Sequence, residues 1–298
     1  MRRLVEFAPV KELVQAELLA RYDAQLRAVA PDPMLEGLRV ERDGPVLRFI
    51  GWGDGGGIFY RDLGGLEGAE LDELIARQIQ VFAERRESFE WKLHGHDRPA
   101  DLSERLIAHG FVPEDLETVV IASVQDVTGE VDALDGVTLR EVSEREDLDR
   151  IGAMEEAIWH DGRAGWLADS LEHERAADPQ AITIVVAESA GELVCAGWVR
   201  FMSGTDFATL WGGGTLPGWR RRGIYRAVVA HRANLAAERG FSYLQVDASS
   251  ESRPILEGLG FIGVTTTTPF IWTPPGVPSF AGMARGRSRQ ESALRGQH

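Results

Sequence analysis

The stretch of this chain with most capacity for chemistry runs from Ala208 to Tyr225. The apolar run Ala-Thr-Leu-Trp gives way there to Gly212-Gly213-Gly214, then to Thr215-Leu216-Pro217-Gly218-Trp219, then to Arg220-Arg221-Arg222-Gly223-Ile224-Tyr225. A strand that ends in glycines and feeds an arginine-loaded helix start is suited to hold a diphosphate. Helix N-termini present amides that have no intrahelical acceptor, and the aligned peptide dipoles add positive potential. The three guanidinium groups reinforce both effects, and Gly223, without a side chain, lets the main chain approach a ligand closely. Taken alone, the same residues also read as a solvated basic turn.

Alternation puts the imidazoles of His94 and His96 on one face of a strand end, an arrangement that metal ligands use. No second ligand cluster accompanies them in the sequence, so no metal is expected. The single cysteine, Cys195, lies in the apolar run Leu193 to Phe201 with no base beside it; it excludes a disulfide within the chain and reads as a buried structural thiol. Trp159, Trp166, Trp198 and Trp211 gather in the second half and read as core, with one or two available to wall a site.

The elements that must position these residues follow from periodicity and turn chemistry. In the first half the pattern predicts helices over 11–30, 69–86 and 101–109, and strands over 38–42, 46–52, 58–63, 89–94 and 117–124. Residues 125–136 are polar and turn-rich and read as a linker. Beyond it the pattern predicts strands over 137–141, 183–188, 193–201, 208–212, 243–247 and 265–272, with helices over 147–159, 166–177, 224–239 and 253–259. Past Pro274 there is no periodicity, and a mobile tail is expected over 274–298. The halves look alike: Phe89 to Phe111 and Phe241 to Phe261 each run strand, turn, helix and Gly-Phe, and each follows Ala-Glu-Arg, at 83–85 and 237–239. A duplicated mixed α/β fold is the economical reading.

A chain of 298 residues suits two domains, here 1–126 and 137–273. The formal net charge of −15 argues against a nucleic-acid partner, which needs a basic surface. Positive charge focused on one turn of an acidic protein suits a small anionic ligand. No apolar run is long enough to span a bilayer, and Lys11 and Glu12 interrupt the N-terminal stretch before a secretory signal could form, so the expected location is the cytoplasm.

Glycine-ended strand, Arg-Arg-Arg-Gly-Ile-Tyr, helix, strand and then Ser252-Arg253-Pro254-Ile255-Leu256-Glu257-Gly258-Leu259-Gly260-Phe261 together resemble the GNAT acetyltransferases over about 137–272. The resemblance implies two such domains in tandem, with acetyl-CoA as cosubstrate and a small-molecule amine as acceptor. It also implies that Gly214, Thr215 and Leu216 pair through their backbone with the pantetheine arm. Arg220 would take the family's Arg/Gln position, and Arg221, Arg222, Gly223, Ile224 and Tyr225 would surround the pyrophosphate. Glycines at 212–214 permit a bulged strand that leaves a slot beside its neighbour.

Two positions depart from the family pattern. Tyr225 stands where Gly or Ala is usual, and Leu256 stands where many members carry a tyrosine that protonates the departing thiolate. Ser249 or Ser252 are the available hydroxyls, although Ser252 before Arg253-Pro254 reads as a helix N-cap. Candidate bases are Asp247, at the end of a strand beside the slot, and His160, in the loop where the family forms its acceptor pocket. In repeat register the first half has Glu67, Glu70, Asp72 and Glu73 in place of the arginines. These complement a helix start and repel a diphosphate, so that copy is expected to bind no coenzyme and to pack against, or shape the acceptor side of, the other. An acetyltransferase working through its second half is therefore expected, the alternative being a non-catalytic acyl-CoA-binding or regulatory module.

Overall fold

The computed structural model describes residues 10–30, 36–52, 55–129, 134–160, 162 and 164–277. The first half contains α1 (Val10–Gln25), β1 (Arg39–Asp43), β2 (Val46–Trp52), β3 (Gly55–Phe59), α2 (Gly68–Arg85), β4 (Phe89–His94), α3 (Leu102–Ala108), β5 (Val112–Pro113) and β6 (Glu117–Ser123). Helix α2 buries Leu71, Leu74, Ile75, Gln78 and Phe82, the stripe its helical spacing requires. Strand β3 differs from the expected 58–63 because it begins inside the glycine run. A Cβ on Gly56 would lie 2.2 Å from the Phe82 ring and 2.5 Å from Phe49 O, so glycine here admits α2 against the sheet and does not mark a turn.

The second half contains α4 (Val124–Val127), β7 (Thr138–Val142), α5 (Arg145–Trp159), α6 (Ala164–Ala177), β8 (Ile182–Ser189), β9 (Glu192–Phe201) and β10 (Phe207–Thr215). These are followed by a 3₁₀ turn (Pro217–Trp219), α7 (Ile224–Glu238), β11 (Tyr243–Ala248), α8 (Arg253–Glu257) and β12 (Ile262–Trp272). The expected linker at 125–136 opens with α4, whose Val124 and Val127 are buried in one cluster with Val229 and Ala233 of α7. The middle of that linker, 130–133, and the expected tail from 278 onward lie outside the described residues.

All strands join one sheet in the order β1-β2-β3-β4-β12-β6-β11-β10-β9-β8-β7, with β5 attached to β12. The mixed α/β expectation holds, and so does the duplication. Parallel pairing occurs at β3 with β4 and at β10 with β11, the same place in each copy. The copies exchange their last strands: β6 lies between β11 and β12, and β12 pairs with β4. Phe270 and Trp272 of β12 consequently pack in the core of the first half with Phe89 and Phe111, while Val120 and Ala122 of β6 pack under α7. A cut at the sequence linker would therefore remove a central strand from both halves.

Candidate active site

The slot begins where β10 and β11 stop pairing. Their parallel ladder runs only from Phe207↔Tyr243 to Thr209↔Gln245, yet β10 continues to Thr215 and β11 to Ala248. On its other edge β10 pairs with β9 through Gly212↔Gly197 and Gly214↔Ala196, which leaves Gly213 as the extra residue of a bulge. Gly212 and Gly213 have φ of 67° and 97°, backbone that other residues rarely adopt. Side chains close in on both faces. A Cβ on Gly213 would lie 2.6 Å from Cε2 of Tyr225, and one on Gly214 would lie 2.6 Å from Oε1 of Glu155.

Helix α7 starts below the slot. Its N-cap is Gly223, and Ala227 N–H donates to Gly223 C=O at 3.0 Å as the first bond into the helix, so the amides before Ala227 have no helical acceptor. Arg220, Arg221 and Arg226 line the space in front of these amides. Among the described residues none of Arg220, Arg221 and Arg222 forms an ion pair with a carboxylate; Arg220 Nε instead donates to Thr215 C=O at 3.1 Å. Acceptor-free amides at a helix start with cations beside them are the features that favour an anion there.

Slot and helix start open into one cavity of about 1880 Å³. Its lining comes from both halves: α1, β2, β3 and β4 on one side, α5, α6, β9, β10 and β11 on the other. Residues 151–261 match the family model of the acetyltransferase (GNAT) family. This segment is a GNAT domain. No curated protein matches the chain in sequence. Among solved structures, a GCN5-related N-acetyltransferase from Kribbella flavida covers 91% of this chain and 98% of its own, with a TM-score of 0.61 and 16% identity. A tandem GNAT protein from the clavulanic acid biosynthesis pathway, solved without acetyl-CoA, covers 90% of this chain and 96% of its own, at a TM-score of 0.59 and 11% identity. A GCN5-related N-acetyltransferase from Sphaerobacter thermophilus has a TM-score of 0.58 at 13% identity, over 88% of this chain and 86% of its own. At such identities these likenesses establish the fold, and it is the whole chain, not the GNAT domain alone, that is shared.

Several expected site residues sit differently in the GNAT domain than sequence order implies. Gly214, Thr215, Arg220, Arg221, Gly223, Ile224 and Tyr225 all line the cavity. Arg222 does not: its guanidinium lies 4.6 Å from the centroid of the Trp219 ring. Leu216 cannot pair with a ligand through its backbone, because its N–H donates to Val194 C=O and its C=O accepts from Trp219 N–H. Gly213, the extra residue of the bulge, falls out of the β9–β10 register. His160 is absent from the lining; it is the exposed, left-handed C-cap of α5 at φ 54°. Asp247 reaches the cavity, but its Oδ2 accepts from Lys92 Nζ at 2.5 Å and its Oδ1 from Gln245 at 2.8 Å. Both oxygens already hold donors. Lys92 itself is kept above its ordinary pKa: burial would lower it, and Asp247, Glu117 and Glu90 more than compensate.

The hydroxyls behave differently too. Leu256, in the family's tyrosine position, is fully buried in the α7 core and is absent from the cavity lining. Ser252 occupies the N-cap position of α8 without capping it, its Oγ accepting instead from Ser249 N–H at 2.9 Å. In the first half, Asp72 pairs with Arg105 at 2.8 Å, and the acidic start of α2 contributes nothing to the cavity.

Three residues that carry no motif in the sequence stand at the bulge or at the helix start below it. Glu155 has a buried Oε1 and accepts through Oε2 from Trp159 Nε1 at 2.5 Å. Its helical spacing from Trp159 was the only sequence signal. Arg226 lies next to Tyr225 at the helix start, outside the arginine triplet. Arg232 of α7 is fully buried, donating through Nη1 to the carbonyls of Trp198 (3.1 Å) and Trp211 (2.8 Å) on the two strands beside the bulge. Gly197 makes room for it, since a Cβ there would lie 2.7 Å from Nη1. Burial raises the pKa of the Tyr225 phenol, with the nearby Arg232 charge pulling the other way, so the phenol carries its proton at neutral pH. Burial also pushes the Cys195 thiol up to about 11, the value of an inert core thiol rather than a nucleophile.

Proposed function

We propose that the chain is an N-acetyltransferase that moves acetyl from acetyl-CoA to the amine of a small molecule, using the GNAT domain of its second half. The observation that carries this reading is the bulge at Gly213. It stands where β10 and β11 part, between the phenol of Tyr225 and the carboxylate of Glu155, above a helix start whose cations pair with no carboxylate among the described residues. The diphosphate fits the amides before Ala227 together with Arg220, Arg221 and Arg226. The pantetheine arm fits the peptide groups of the bulge as a short added strand. Peptide N–H groups there polarise the thioester carbonyl.

In this reading Glu155 accepts a proton from the incoming ammonium, and the freed nitrogen attacks the thioester carbon. The C–N bond forms, the C–S bond breaks, and Tyr225 gives its proton to the leaving thiolate, the task for which Leu256 lacks a hydroxyl; the second proton, shed by the new amide nitrogen, restores the phenol. Asp247 has a structural part: with Lys92 it joins β11 to β4 across the two halves. The test is thiol release from acetyl-CoA with a panel of amines, wild type beside Glu155→Gln and Tyr225→Phe. Each variant is expected to lower kcat about 100-fold or more, the usual size of one proton-transfer contribution, while CoA affinity stays within about twofold. Wild-type turnover retained in both variants removes these roles, and absence of turnover with every amine removes the enzyme reading.

A further inference from the structure

The acceptor side of the cavity is more specific than a generic amine pocket. Trp211 is locked from three directions. Its indole N–H donates to Thr209 Oγ1 at 2.9 Å, and one face carries the Arg200 guanidinium, 4.7 Å from the ring centroid. Arg200 is itself held by a two-pronged pair to Glu174 of α6, at 2.6 and 2.9 Å. Trp198 is the direct cross-strand partner of Trp211, and both indoles line the cavity. A preorganised aromatic floor of this kind loses no side-chain entropy when a flat group settles on it.

We infer that the acceptor is a primary amine on a short aliphatic arm attached to a flat apolar group, with the flat group stacked on Trp211 and the ammonium at Glu155. This rests on the acetyl-transfer reading and deepens it. Trp211 stands only two residues before Gly213 on the same strand, so the arm between a stacked ring and the bulge is short. Trp211 already carries a cation on one face, the Arg200 guanidinium, which Glu174 holds in place, so a flat neutral group suits its ring better than a second cation.

The test measures kcat/KM of the full chain for 2-phenylethylamine, spermidine and glucosamine, by thiol release from acetyl-CoA, in wild type, Trp211→Phe and Trp211→Thr. The expected result is a preference for 2-phenylethylamine of about tenfold or more. Its KM should rise about tenfold in Trp211→Thr and recover to within about threefold in Trp211→Phe, while the KM of acetyl-CoA is unchanged, which also reports an intact fold. Higher kcat/KM for spermidine or glucosamine, or an unchanged KM in Trp211→Thr, overturns the inference. If no amine is acetylated, the acetyl-transfer reading fails separately, and calorimetry with 2-phenylethylamine and the CoA-mixed protein decides the acceptor class. Saturable heat in wild type that is lost in Trp211→Thr upholds it, and no heat in wild type overturns it.

Discussion

Neighbouring arginines of one triplet should contribute very unequally to coenzyme binding. Arg221 lines the cavity before the first amides of α7, whereas Arg222 lies on the Trp219 ring and is absent from the lining. A hydrogen bond to a charged group contributes about 1.5–3 kcal/mol, and each 1.4 kcal/mol is tenfold in Kd, so Arg221→Ala should weaken CoA binding roughly 10- to 100-fold. Arg222→Ala removes only an exposed cation–π contact, about 0.5–1 kcal/mol of local stability, and should leave Kd within about twofold. Residual long-range attraction from Arg222 is screened over about 8 Å at physiological salt. The assay is calorimetric titration of CoA at low and at physiological salt, with Arg226→Ala as a third variant expected to resemble Arg221→Ala. Equal losses from Arg221→Ala and Arg222→Ala, or none from Arg221→Ala, would refute the assignment of the cradle to the helix start.

Two further outcomes follow from packing and burial. Gly213→Ala places a Cβ 2.6 Å from the Tyr225 ring at a φ of 97°, and should lower stability by about 1–3 kcal/mol and reduce turnover. Gly165→Ala in α6 meets nothing within 4 Å and should be neutral or stabilising, so equal melting temperatures for the two variants would contradict the bulge geometry. Burial raises Glu90 to a pKa of about 7, above its ordinary 4.5. The folded state then binds the extra proton between those values, so stability falls as pH rises from about 4.5 through 7, by up to about 3 kcal/mol. Glu90→Gln, which mimics the protonated form, should flatten that dependence and raise the melting temperature at pH 8 relative to wild type. A melting temperature at pH 8 that Glu90→Gln leaves unchanged would show that the carboxyl is not destabilised there.

Legibility in sequence followed the range of the interactions involved. Helices α2 and α7 and strands β2, β4 and β9 emerge within a residue or two of their expected bounds, because each is defined by its own apolar period and by turn residues at its ends. The arginine helix start is legible for the same reason: amides, dipole and cations all belong to one local stretch. Strand β3 was shifted because glycine signals a turn when read alone, whereas here it answers to Phe82, far along the chain. Sequence adjacency groups Arg222 with its neighbours, and its contact with the Trp219 ring separates it from them. Loop position points to His160 but gives no direction, and strand position points to Asp247 but does not reveal that Lys92 of the other copy reaches it. Glu155 carried no motif; it is brought to the bulge by the packing of α5 across β9 and β10.

The amino-acid sequence by itself determined the duplicated α/β pattern, the glycine bulge, the cation-bearing helix start and the absence of such a start in the first copy, all of which depend on contacts between residues close along the chain. Tertiary structure alone decided the exchange of β6 and β12, the union of both halves around one cavity, and the groups that face the bulge. Those outcomes depend on contacts between distant segments, where backbone pairing and burial, not local propensity, select which side chains meet.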